Sequence, residues 1–441
     1  MADEVFAHEG RGCAFGRRDA FDELDVRASP MLSPPTSGAE AHFQCLTMRC
    51  NEGAENMKSS ILIFMVLVWM TKSAVAAGSA DLLYVPGSTK KVGQLTGDFD
   101  RGLNRPTLSQ TGQRYGVIGT DLGSSFEHEG RLYFLFGDTF GRPGDWDALA
   151  WTTNADPEQI VLDFHKDQDG KWLPPKVPGI SQKEFEIPSG GVSVAGAMYV
   201  VFTTDHTRQR TMGRSVLAAS ADGGRSFTNL YDLSRAKFIN VSIVAAEGWL
   251  YIYGSGKYRA SSVCLARVRP GDIRDRTKLQ YFTGPGPDGQ ARWAGQETNA
   301  TTLFHHDVVG EFSVTYLEPV KRYVILYNHN VGQPRGIIMR SAADPTGPWS
   351  EGVVIFEPWR DAGFGRFMHI SAKFKGEGQK DVLADPKQDN TWGAEYGPYV
   401  MGRFTTGSAG QCRIYYTMST WNPYQVVVMR SDLSISKIRK D

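Results

Sequence analysis

Apolar and polar positions along the chain alternate in short strand-length runs, and one pattern recurs: a short apolar strand, a Gly-type turn, then a strand with a tyrosine near its start. It is clear in Leu132-Tyr133-Phe134-Leu135-Phe136, Met198-Tyr199-Val200-Val201-Phe202 and Leu250-Tyr251-Ile252-Tyr253-Gly254. Weaker copies are Arg322-Tyr323-Val324-Ile325-Leu326 and Arg413-Ile414-Tyr415-Tyr416-Thr417. A second apolar element follows most copies, at residues 215–220, 262–267, 336–341 and 426–431. The tyrosines are 66, 52, 72 and 92 residues apart. Antiparallel units of that size are the blades of a β-propeller, so five copies predict an all-β, five-bladed β-propeller. The widest spacing predicts an insertion around residues 373–391. Helical periodicity is almost absent, and the repeat length argues against a β-sandwich.

In such a fold the innermost strand of each blade precedes the tyrosine strand and faces a central channel. Those strands are expected at 117–124, 188–194, 238–244, 310–316 and 396–404. They supply Asp121, Ser189, Asn240, Glu311, Tyr396 and Tyr399 as channel candidates. Asp121, in Gly119-Thr120-Asp121-Leu122-Gly123, and Asp138, in Phe136-Gly137-Asp138-Thr139, frame one hairpin. Two acids brought together by a hairpin fit a glycoside hydrolase, which needs one carboxyl to protonate the leaving oxygen and one to activate water or attack carbon. Aspartate is also an ordinary turn residue. Glu311, ahead of an apolar strand, suits a general acid if buried, and means nothing if exposed. Asn240 either binds substrate or satisfies neighbouring backbone. Trp421 and Asn422 in Trp421-Asn422-Pro423-Tyr424 form either a sugar-stacking platform or a rigid turn. Residues 220–227 match the Asp-box pattern of sialidase-type propellers, in which Asp222 caps a turn and Phe227 packs beneath it. His369 reads as a turn residue, and His305-His306-Asp307 lacks further ligands at a metal-site spacing.

Composition narrows the classes. The 441 residues carry 48 basic and 48 acidic side chains, which gives no net charge to attract nucleic acid or a membrane surface. Residues 1–56 hold three of the five cysteines and no sustained apolar period, so they read as an upstream extension. Met57-Lys58, an apolar run at 61–70 and Ala74-Val75-Ala76 make 57–76 a secretory signal, too short to span a bilayer. Residues 77–441 are then a single catalytic propeller, secreted or periplasmic, with no membrane association after cleavage. Cys264 and Cys412 lie in strand-like segments and read as core thiols. No phosphate-binding or dinucleotide loop is present. We expect no cofactor; a structural calcium is left open.

Several of these motifs resemble a bacterial family long labelled as of unknown function and now associated with endo-D-arabinanases. The similarity lies in Thr120-Asp121-Leu122-Gly123 with Phe136-Gly137-Asp138-Thr139-Phe140, in Gly310-Glu311-Phe312-Ser313-Val314, in Tyr396-Gly397-Pro398-Tyr399, and most specifically in residues 419–426. It covers nearly all of 115–432. The resemblance implies a five-bladed propeller that hydrolyses arabinofuranosidic bonds in D-arabinan, a polysaccharide of mycobacterial cell walls, with the paired acids at Asp121 and Asp138. Two alternatives stand beside it. One is a carbohydrate-binding propeller without catalysis. The other is a sialidase-like enzyme, which needs an arginine cluster such as Arg259, Arg340 and Arg430 could supply.

Overall fold

The computed structural model describes residues 81–441 apart from 144–145, 208–212, 257–259, 330–335, 372–380, 382, 384–391, 409 and 437–441. The expected extension, the signal segment and nearly all of the 373–391 insertion lie outside the described residues.

Five antiparallel sheets carry the repeat. From the centre outward, blade 1 comprises Leu122–His128, Arg131–Thr139, Trp146–Thr152 and Asp163–Phe164. Blade 2 comprises Pro188–Val194, Ala197–Thr204, Arg214–Ser220 and Thr228–Ser234. Blade 3 runs Asn240–Ala246, Trp249–Ser255, Cys264–Val268, Gln280–Pro285 and a fifth strand, Ala291–Ala294. Blade 4 is Ser313–Leu317, Arg322–Asn328, Ile337–Ala342 and Val353–Phe356. Blade 5 is shared: Glu395–Val400, Gln411–Thr420 and Gln425–Ile435 come late in the chain, and Leu82–Tyr84 and Lys90–Gln94 both pair with Gln425–Ile435 on its outer edge. The five inner strands neighbour one another in a closed order, with blade 5 returning to blade 1. The fold is therefore the five-bladed propeller that the repeat predicts.

The apolar runs form second strands because both of their faces are buried. Side chains alternate across a strand. Leu132, Phe134 and Phe136 pack toward blade 5, while Tyr133 and Leu135 pack toward blade 2. Five hydrophobic clusters result, one in each gap between adjacent blades. Removing a ring from such a gap, as in Phe134→Ala, costs about 3–5 kcal/mol. Tyr133, Tyr199, Tyr251 and Tyr415 each face the following blade, whereas Tyr323 faces back to blade 3. The fourth copy is thus one residue out of step, because a one-residue shift moves a side chain to the other face.

Asp222 has the structural role expected of it. Ser226 donates from its backbone N–H at 3.0 Å, and the Ser220 hydroxyl lies 2.7 Å away. Burial opposes these bonds, but together they hold the Asp222 carboxyl down at about 2. Phe227 is buried beneath, edge-on to Phe202. Cys264 and Cys412 are free, buried thiols. Among the described residues, no helix is long and apolar enough to cross a membrane.

Candidate active site

All five inner strands start at the same mouth, and a polar residue stands at each start. Asp121 precedes Leu122, Glu186 and Ser189 flank Pro188, Asn240 opens its strand, Glu311 precedes Ser313, and Tyr396 follows Glu395. Second strands end at this mouth, which is how Asp138 and the Trp421-Asn422 turn reach it.

The backbone around Asp121 is strained. Leu122 takes φ 67° and Gly123 φ 98°. A bulky residue in the left-handed region costs about 1–3 kcal/mol and persists only where its surroundings enforce it. Here the Leu122 side chain is buried, and its N–H donates to the Ser419 hydroxyl of blade 5 at 2.6 Å. The same turn presses the Asp121 carboxyl against Gly137, where a Cβ would lie only 2.6 Å from Oδ1. Glycine is needed at 137 because Asp121 fills the space a side chain would take.

Asp121 Oδ2 accepts two hydroxyl hydrogen bonds, from Tyr396 at 2.9 Å and Tyr424 at 2.6 Å. Burial, with the Asp121 charge adding to it, pushes the Tyr424 phenol well up, so it stays a donor. Two donors on one oxygen suit a carboxylate, which only accepts. Asp138 is buried on the neighbouring strand, and its Oδ1 accepts from the Phe185 N–H at 3.1 Å. The two sequence-predicted acids and Tyr396 are therefore brought together.

Glu311, Asn240 and Tyr399 form the adjoining part of the mouth. The Asn240 amide abuts Gly310, just before Glu311. Glu311 Oε2 and Asn240 Oδ1 are buried with no hydrogen-bond partner among the described residues. Burial, then the charges of Glu311 and Asp121, push the Tyr399 phenol well up. Trp421 is half-buried and edge-on to Tyr424, which in turn packs against Phe140. Asn422 is buried, and its backbone carbonyl accepts from the His369 N–H. Its turn is therefore rigid and also lies beside the acids.

Three roles go beyond the sequence reading. Tyr424 is the second aromatic of the 421–424 loop, and its bond to Asp121 has no signal in the sequence. Glu186 lies just ahead of the blade-2 inner strand, where Ile187 takes the position equivalent to Asp121; it accepts from Ser181 Oγ, the Lys183 N–H and the His206 N–H, so it braces the loop. Asp147, on the third strand of blade 1, is buried and accepts from Gln182 Nε2 at 3.0 Å. Desolvation drives its carboxyl well above the usual range; the Gln182 bond opposes this, and the charges of Asp138, Asp121 and Glu186 reinforce it.

The sialidase alternative loses two of its three arginines. Arg340 donates to Tyr327 and the Ser350 carbonyl, and Arg430 pairs with Glu158, both from third strands; Arg259 lies outside the described residues. His306 bonds the Tyr327 hydroxyl and stacks on His329. Among the described residues no group of three or more His, Cys, Asp or Glu side chains could hold a metal ion. A surface cleft lined by Val92, Asp100, Glu158 and Val428 borders the outer strands of blade 5 and includes none of the inner-strand acids.

A family profile described as "Domain of unknown function (DUF4185)" matches residues 107–430. Notoamide biosynthesis cluster protein J of Aspergillus sp. (strain MF297-2) is 27% identical over 353 residues, covering 72% of this chain and 88% of that protein. Protein J' of the same name in Aspergillus versicolor is 26% identical over 299 residues, covering 59% of this chain and 78% of that one. Among solved structures, the catalytic domain of the Coprinopsis cinerea GH62 alpha-L-arabinofuranosidase superposes with a TM-score of 0.40 at 9% identity, covering 79% of this chain and 98% of that chain. An alpha-L-arabinofuranosidase of Clostridium thermocellum gives 0.39 at 11%, covering 67% and 81%. Likeness this remote assigns no chemistry.

Proposed function

The chain belongs to the DUF4185 family, and we propose that it is a secreted glycoside hydrolase that cleaves arabinofuranosidic bonds, acting within chains of D-arabinan. One observation carries this reading: Asp121 and Asp138 are buried at one end of a single hairpin, with Asp121 held by two tyrosine hydroxyls. Asp121 is the base or nucleophile, since its donors favour a carboxylate. Asp138 is the general acid, and Glu311 on blade 4 is the reserve acid. Cleavage of a furanoside develops positive charge on the sugar ring, which a carboxylate beside the anomeric carbon stabilises. Tyr399, Asn240, Trp421 and Asn422 supply the polar and aromatic wall that would orient a sugar. Secretion rests on the signal pattern at 57–76.

The test is to incubate the protein from Ala77 onward with D-arabinan, L-arabinan and a sialoside, and to separate the products. A ladder of oligosaccharides from D-arabinan alone is expected. Products from L-arabinan would move the substrate, and retention of glycan without products would select the non-catalytic propeller. Free sialic acid would restore the sialidase reading.

A further inference from the structure

The mouth end of the blade-1 hairpin gathers three carboxyl groups, of which the proposed chemistry uses two. Between Phe136 opposite Ala148 and Thr139 opposite Trp146, the second strand carries Gly137 and Asp138 where the third strand carries Asp147 alone. Such a bulge re-aims side chains, and bulges recur beside active sites. Asp138 and Asp147 are 5% and 3% exposed, so water screens neither. Gln182 is fixed: its Nε2 donates to the Pro175 carbonyl and its Oε1 accepts from the Val177 N–H, so it offers Asp147 one well-aimed bond. Among the described residues, the charges that act on Asp147 include three acids: Asp138 from the second strand, Asp121 ahead of the first, and Glu186 from the connector into blade 2.

Resting on the hydrolase reading, we infer that Asp147 is a positioning residue for the general acid: it pairs with Asp138 across the bulge, and the two carboxyl groups hold one proton between them at neutral pH. Two carboxylates in one dry site do not both ionise readily. In the chemical step the proton leaves Asp138 for the glycosidic oxygen as the bond from the anomeric carbon to that oxygen breaks, and the oxygen keeps the bonding electron pair. The second negative charge of the pair forms only as the sugar ring becomes positive, which is when it stabilises most. The anomeric carbon is captured by the Asp121 carboxylate or by a water that Asp121 deprotonates, and water returns the proton to Asp138.

The experiment compares kcat/KM against pH, on D-arabinan, for the native protein, Asp147→Asn and Asp147→Glu. Asparagine keeps an acceptor for Gln182 but cannot share a proton. Its high-pH limb should therefore move down by at least about one pH unit, with glutamate restoring part of the shift. Carbon-13 carboxyl NMR of aspartate-labelled protein gives a readout independent of activity. The native pair should titrate in two widely split steps, and Asp147→Asn should leave a single ordinary step. Superimposable pH profiles with only a lower melting temperature would overturn the assignment, as would two independent, ordinary titrations in the native protein. A split titration in a protein that cleaves no glycan would uphold the pairing and sink the hydrolase reading instead. If Asp147→Asn fails to fold, the native titration alone decides.

Discussion

Gly137→Ala isolates what the blade-1 mouth requires. The added methyl would stand 2.6 Å from Asp121 Oδ1, with Ile187 Cγ2 and Leu122 Cδ1 each at 2.9 Å. Ordinary contact begins at 3.4 Å, so relief by the carboxyl alone needs a movement of about 0.8 Å. All three neighbours are buried, and the carboxyl makes the tightest contact, so Asp121 has to shift together with the two apolar side chains and its bonds to Tyr396 and Tyr424 stretch. A misplacement of about 1 Å in a catalytic group costs roughly a hundredfold in rate. Overpacking itself costs about 1–3 kcal/mol of stability. Gly130→Ala is the control. Gly130 has φ 79° at the far turn of the same hairpin, with nothing within 4 Å of a Cβ. Its alanine loses about 1–2 kcal/mol to backbone strain and leaves Asp121 untouched. Thermal melting and initial rates on D-arabinan, measured on both variants, separate the effects: equal destabilisation with activity lost only in Gly137→Ala is expected. If Gly137→Ala keeps its rate, the claim that Gly137 makes room for a working carboxyl is wrong.

Other outcomes follow from the same contacts. Tyr424→Phe and Tyr396→Phe each remove one hydroxyl donor from Asp121 and should lower kcat/KM roughly tenfold to a hundredfold, corresponding to about 1.5–3 kcal/mol for a bond to a charged group; steady-state kinetics checks this, with melting curves confirming that each variant, though less stable, is folded at the assay temperature. Asp222 has a folded value of about 2 against the ordinary 3.8, so its contribution is present above pH 4 and lost as pH falls through 2. Allowing for solvent screening it is worth about 1 kcal/mol, and Asp222→Ala should abolish that part of the acid-side slope in denaturant unfolding. Cys264 and Cys412 are buried and unpaired, with burial pushing Cys412 up to about 11. A thiol reagent should label them only after unfolding, and reductant should leave the melting temperature unchanged.

The fold was legible because every second strand is packed on both faces, which forces apolar runs such as 132–136 that repeat at blade spacing. Closure of blade 5 was not: Lys90–Gln94 is polar and half-exposed, and it becomes a strand only by pairing with Gln425–Ile435. That Asp121 and Asp138 come together at one end of a hairpin was legible, since the glycines beside them mark sharp local geometry. Asp147 was not, because its significance depends on a register offset between two strands, and no periodicity reports a bulge. The partners of Asp121 come from blade 5, some 275 and 303 positions away, and only ring closure brings them there.

The most direct test is to measure reducing ends released from D-arabinan by the native protein and by Asp121→Asn and Asp138→Asn, with melting curves to confirm that all three are folded. Release by the native protein, lost from both folded variants, is the predicted result. Undiminished release from the variants, or none from the native protein, would contradict the assignment of the blade-1 acids to glycosidic cleavage.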